Sequence, residues 1–134
     1  MQEDLSFDHI GIAVYSIEAA LKSYAATLGL SMERTVSIEE QKVRVAMLSL
    51  GESRIELLEA TDPTSTICRF LEKRGEGVHH ICFKVKDISR KLIAFRKAGL
   101  HTLENISGTG YEGRKIAFLH PRSTHGVLIE LVEE

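Results

Sequence analysis

The 134-residue chain is poor in several features that would narrow its role. Its two cysteines, Cys68 and Cys82, are too few for a stapled secreted scaffold and read as reduced thiols of a cytoplasmic protein. A net charge of -2, without any basic run, leaves no electrostatic footprint for nucleic acid or an anionic membrane surface. No apolar stretch approaches the roughly 20 residues needed to cross a bilayer. The opening residues, MQEDLSFD, are acidic and polar, unlike a signal peptide. The glycine fingerprint of a P-loop or dinucleotide site is missing too. What is present is 43% hydrophobic and 27% charged residues, the balance of a globular chain rather than a disordered one. The expectation is a single domain over 1–134 in the cytoplasm.

That domain is written twice. Ser6 to Val14 and Gly77 to Val85 are strand-like runs that share a histidine in the same setting, His-Ile-Gly-Ile beside His-Ile-Cys-Phe. Each is followed by an amphipathic helical stripe. In Ser16 to Gly29 the apolar positions are Ile17, Ala20, Leu21, Tyr24, Ala25 and Leu28; in Asp87 to Gly99 they are Ile88, Leu92, Phe95 and Ala98. Ser16 and Asp87 suit N-caps, and both stripes exit through Gly-Leu. Arg44 to Leu50 and Arg54 to Glu59 then flank Gly51-Glu52 as a hairpin. Lys115 to His120 and Val127 to Val132 answer them in the second half. Thr35 to Val43 and Thr102 to Ile106 supply the remaining strands. The expectation is an α+β fold with module one at 5–60, a linker helix within 61–76 (Thr66 to Arg74, stopped at Gly75), and module two at 77–134.

The repeat also duplicates chemistry. His9 returns as His80, and the tripeptide Ile55-Glu56-Leu57 returns as Ile129-Glu130-Leu131. Strand alternation puts His9 on one face with the small residues Gly11 and Ala13. Glu56 and Glu130 sit inside apolar runs, where an ionised carboxylate needs a partner. One strand histidine or one strand glutamate is ordinarily structural, but two matched pairs point to a metal site. Imidazole with carboxylate suits Zn, Co, Ni, Mn or Fe(II). His79 must face away from His80 and reads as a packing residue; His101, His120 and His125 read as surface residues. The glycine-rich stretch Gly108 to Arg114 reads equally as a substrate-approaching loop or a turn.

Together these features resemble the vicinal oxygen chelate superfamily of glyoxalases, bleomycin-resistance proteins and dioxygenases. Within it the chain is similar to the methylmalonyl-CoA epimerases. The matching segments are FDHIGIAV, EEQKVRVAMLSLG, RIELLE, GEGVHHICFKV and GRKIAFLHPRSTHGVLIEL, spanning residues 7–132. The resemblance implies two βαβββ modules packed into an incomplete barrel with a metal-binding cleft. It implies His9, His80 and Glu130 as metal ligands, with Glu56 in the fourth position, often Gln in the family. The ion would be Co, Zn, Mn or Ni. The implied reaction interconverts (2R)- and (2S)-methylmalonyl-CoA through a metal-stabilised enolate, with Glu56 and Glu130 as candidate catalytic carboxylates. The implied partners are a CoA thioester and a second copy of the chain, with no nucleic acid or membrane. Some relatives carry a glutamate in V-R-E-A-M where this chain has Val45. A hairpin turning at Leu50-Gly51 would set Val45 directly opposite Glu56, so that a carboxylate at 56 replaces one at 45. The rival readings are a glyoxalase I-like lactoylglutathione lyase and a metal-free ligand-binding or resistance module of the same fold.

Overall fold

Alternating apolar residues and well-placed caps produce eight strands and three α-helices among the described residues. The computed structural model describes residues 4–107 and 113–134, with the backbone alone at 104–107. They fall into two units, one of residues 9–79 and one of residues 4–8 with 80–134. Each carries one βαβββ motif.

In the 9–79 unit, β1 (Leu5–Ala13, entering the unit at His9), β2 (Ser31–Ile38), β3 (Val43–Leu50) and β4 (Ser53–Ala60) form a sheet in the order β2-β3-β4-β1. β1 runs parallel to β4, with Ile10 beside Ile55 and Gly11 beside Glu56. A parallel neighbour requires a crossover, and α1 (Ile17–Leu21) begins it. Ser16 caps this helix by accepting the Ala19 N–H. The core consists of Val14, Ile17, Ala46, Leu48 and Leu57, flanked by Ile12, Ala20, Leu21, Tyr24 and Ala25. α2 (Thr66–Arg74), capped by Ser65 and ended at Gly75, spans the linker-helix residues expected from the sequence.

Three expectations need correction here. The stripe from Ser16 to Gly29 is not one α-helix: Lys22–Thr27 form a π-helical stretch, with Leu28 N–H donating to Ser23 O. The wider turn shifts the downstream phase. Leu28, expected in the stripe, is therefore 69% exposed, and Leu30 packs against the core instead. The strand expected at Thr35 to Val43 lies earlier, because the polar run Glu39–Gln41 forms a 3₁₀ turn and Lys42 is left-handed at φ 54. Val43 then opens β3.

The hairpin register also differs. The turn residues are Gly51 and Glu52, with Leu50 paired to Ser53 and Gly51 at φ 62. Positive φ at the first central residue is where a two-residue hairpin uses glycine. Val45 therefore pairs with Leu58, and Met47 with Glu56. Val45 keeps the same face as Glu56 but is its diagonal neighbour, about 7–8 Å away rather than directly opposed.

In the other unit, β5 (Gly77–Val85, entering at His80), β6 (Thr102–Ser107), β7 (Ile116–Leu119) and β8 (Ile129–Glu133) are ordered β5-β8-β7-β6. β5 is parallel to β8, with Ile81 beside Ile129 and Cys82 beside Glu130. The crossover helix is α3 (Ile88–Lys97), capped by Asp87. Its core is Val85, Ile88, Leu92, Ala117 and Leu131, with Cys82, Ile116 and Val132 clustered on the opposite sheet face. Residues 4–8 belong to this unit: Leu5 packs on that core, Phe7 meets Phe83 edge-on, and Asp4 pairs with Lys91 at 2.8 Å. Gly29 and Gly99 stop the two crossovers at φ 88 and 93, a backbone conformation that costs a side-chain-bearing residue more.

Candidate active site

The site residues follow from strand parity. On β4, Ile55 and Leu57 enter the helix-side core, so Glu56 emerges on the other face beside Gly11. With no side chain at Gly11, the neighbouring His9 can reach Glu56: His9 Nε2 lies 3.4 Å from Glu56 Oε1. Both residues are buried. On β8, Ile129 and Leu131 enter the helix-side core, and Glu130 emerges beside Cys82, opposite Phe118. His80 Nε2 lies 3.0 Å from Glu130 Oε1, with His80 buried and Glu130 half-buried. The structure thus pairs His9 with Glu56 in one unit and His80 with Glu130 in the other.

Geometry and donor chemistry both test whether such pairs suit a metal. Two ligands at about 2.1 Å from one ion lie roughly 3.0 Å apart at a right angle and roughly 3.4 Å apart at the tetrahedral angle. The two His–Glu separations, 3.0 and 3.4 Å, fall on those values. Imidazole and carboxylate are borderline-to-hard donors that divalent first-row ions accept. Each pair fits such an ion.

Two features escaped the reading of the sequence. Arg54, two residues before Glu56 on the same face of β4, donates from Nε (3.2 Å) and Nη2 (2.9 Å) to Glu56 Oε2. Strand alternation implied the shared face, but an arginine there also reads as an ordinary solvent-facing residue. The second feature is a pair of helix clamps. Glu59 Oε1 accepts the Ile17 N–H at 2.8 Å, and Glu133 Oε2 accepts the Ile88 N–H at 3.1 Å. Each carboxylate satisfies a first-turn N–H at the positive end of its helix. It also ties the helix to the strand that carries the site glutamate. The signal was in the repeat itself, Ile-Glu-Leu-Leu-Glu against Ile-Glu-Leu-Val-Glu.

The other histidines make local contacts or lie exposed. His79 packs edge-on against Phe70, with ring centroids 5.0 Å apart. His120 caps the 3₁₀ turn Pro121–Thr124, its Nδ1 accepting the Arg122 N–H, and its ring lies 5.1 Å from that of exposed His101. His125 is exposed and left-handed. The Cys68 thiol is pushed above its ordinary pKa by burial and by Glu72. Of the glycine-rich stretch Gly108 to Arg114, residues 108–112 lie outside the described residues. No described helix is long and apolar enough to cross a membrane.

Comparison with known proteins bears on the same residues. The family model of the Glyoxalase/Bleomycin resistance protein/Dioxygenase superfamily matches residues 8–118, a span that takes in three of the four paired side chains. The ethylmalonyl-CoA/methylmalonyl-CoA epimerase of Cereibacter sphaeroides is 36% identical, over 92% of this chain and 94% of its own. An uncharacterised protein of Bacillus subtilis is 43% identical, over 94% of this chain and 90% of its own. A solved structure of a Streptomyces coelicolor methylmalonyl-CoA epimerase variant, in complex with 2-nitronate-propionyl-CoA, matches with a TM-score of 0.90 at 40% identity, covering 98% of this chain and 99% of that one. The chain belongs to the superfamily and, within it, to the methylmalonyl-CoA epimerase family.

Proposed function

We propose that the protein is a methylmalonyl-CoA epimerase that uses His9, Glu56, His80 and Glu130 as the ligands of one divalent ion. The observation that carries this reading is the duplication of one His–Glu pair at equivalent register, Glu56 beside Gly11 and Glu130 beside Cys82. Family membership supports the substrate class, since a relative's structure holds a CoA-linked nitronate.

The C2 hydrogen of methylmalonyl-CoA lies between a thioester and a carboxylate, so its removal leaves charge that spreads into the thioester. A bound divalent ion supplies Lewis-acid stabilisation of that charge. The protein's part is proton transfer and the exclusion of water. Glu56 and Glu130, one from each module, are the carboxylates available to move the C2 proton between the two faces. Binding the ion weakens a carboxylate as a base, so Glu56 serves as ligand, as base or as each in alternation. Burial of His9, Glu56 and His80 keeps bulk water from competing for the proton and strengthens each electrostatic contact. The family resemblance extends the reading to a cytoplasmic homodimer, which light scattering tests by its mass.

The decisive assay incubates (2R)- or (2S)-methylmalonyl-CoA with the protein in D₂O and follows C2 by proton NMR. Exchange of the C2 proton with interconversion of the two epimers supports the proposal. Turnover of a glutathione hemithioacetal without action on either CoA thioester would replace it with the lactoylglutathione lyase reading. No turnover, and no stoichiometric metal in the purified protein, would leave a ligand-binding module. Ethylmalonyl-CoA in the same assay fixes the acyl preference.

A further inference from the structure

The two His–Glu pairs are equivalent in register but not in surroundings. Arg54 precedes Glu56 by two residues, whereas the matching position before Glu130 is Leu128. Arg54 lies beside His9 across the parallel β1–β4 ladder, so its guanidinium runs along the strand face toward Glu56. Nε and Nη2 both donate to Oε2, at 3.2 and 2.9 Å, while the other oxygen, Oε1, faces His9 Nε2 at 3.4 Å. The carboxylate is thereby sorted into one oxygen held by the guanidinium and one presented beside the imidazole.

We propose that Arg54 is a positioning residue for Glu56: it holds Oε2 so that Oε1 alone joins His9 Nε2 as a donor, fixing Glu56 as a single-oxygen ligand. This inference rests on the metal-site reading above. A free carboxylate can turn about its terminal torsion and offer either oxygen or both. The planar guanidinium takes away that freedom with two N–H groups in fixed relation.

A guanidinium near a cation can act in two opposed ways. As a bare charge it repels the ion, and its removal tightens binding. As a positioning group it preorganises the ligand, and its removal loosens binding, by about ten- to a hundredfold for comparable outer partners of metal ligands. The sign of the change separates the two.

The test titrates Co(II) into the metal-free full-length protein and reads the visible cobalt absorption for the wild type, Arg54→Met and Arg54→Lys. Methionine keeps much of the straight apolar stem, and lysine keeps the charge but has a single ammonium head. Arg54→Met is expected to bind Co(II) about tenfold more weakly or worse, with an altered visible band because both Glu56 oxygens are released. Arg54→Lys is expected to bind several-fold more weakly than the wild type. Each variant decides alone. Methionine binding equal to or tighter than the wild type, or lysine binding equal to the wild type, overturns the assignment. If the wild type takes up no Co(II), the metal-site reading itself fails and the inference with it; if all three bind alike, only the inference fails.

Discussion

The 9–79 unit and the 80–134 unit start from the same plan and diverge at identifiable residues. Both place a parallel strand pair beside a crossover helix, both set a glutamate next to a small residue on the sheet face away from that helix, and both clamp the helix start with a second glutamate three residues on. They differ where the common plan leaves freedom. The first crossover widens into a π-helical stretch and the second remains α-helical. Glu56 has Gly11 and Met47 as strand neighbours, and Glu130 has Cys82 and Phe118. Arg54 holds one glutamate, whereas Leu128 stands at the matching place before the other. What is shared is what presents a His–Glu pair. What differs is what can give two similar carboxylates different tasks.

Substitutions made in parallel test how far the equivalence goes. The largest effect is expected at the carboxylates: Glu56→Gln and Glu130→Gln should each slow epimerisation by about 10²–10⁴-fold, the usual worth of a positioned acid or base. Proton exchange in D₂O, measured separately from each epimer, checks this. A Glu56→Gln enzyme that keeps full exchange at both faces of C2 would limit Glu56 to binding the ion.

Next come the two cores. Leu57 and Leu131 are equally buried, at 0% and 1% exposure, at matching positions after the site glutamates. Leu57→Ala and Leu131→Ala should each lower stability by about 2–5 kcal/mol through the cavity they leave. Urea unfolding of the two variants would expose any inequality between the cores. The helix clamps should matter less. Glu59→Gln and Glu133→Gln each weaken a carboxylate bond to a helix-start N–H and should cost about 1 kcal/mol by the same measurement.

The smallest expected effect is one-sided. Hydrogen bonds from the Thr64 hydroxyl and backbone N–H hold the Asp62 carboxyl below its ordinary pKa. Its contribution to stability is therefore present above the unfolded pKa and is lost as pH falls through the lower folded value. Asp62→Asn should lower stability slightly at neutral pH and flatten the acid limb, the two proteins converging at the acid end where Asp62 is protonated in both states. Thermal melts across the acid range check it.

How much of this was legible in the sequence follows from which forces are local. The two βαβββ motifs were readable because caps such as Ser16 and Asp87, stops such as Gly29 and Gly99, and the apolar periods are all written in nearby residues. The four side chains of the His–Glu pairs were readable as candidates because His9 returns as His80 and Ile55-Glu56-Leu57 returns as Ile129-Glu130-Leu131; which histidine meets which glutamate was not. The register of the β3–β4 hairpin was not, because moving the turn from Leu50-Gly51 to Gly51-Glu52 changes every partner while leaving composition and periodicity unchanged. The π-helical stretch was hidden too, since Leu28 satisfies the helical period as well as any core residue until Leu30 takes its place. Arg54 went unread because its importance depends on where its guanidinium ends, which residue type and spacing alone do not fix.

The central claim is that one divalent ion depends on both pairs, and metal counting tests it most directly. The wild type, His9→Ala and His80→Ala, each loaded and then freed of excess ion, would be analysed for bound metal per chain. The account predicts one ion in the wild type and a large loss from either variant. Two ions per chain, or full occupancy after removal of either histidine, would contradict it.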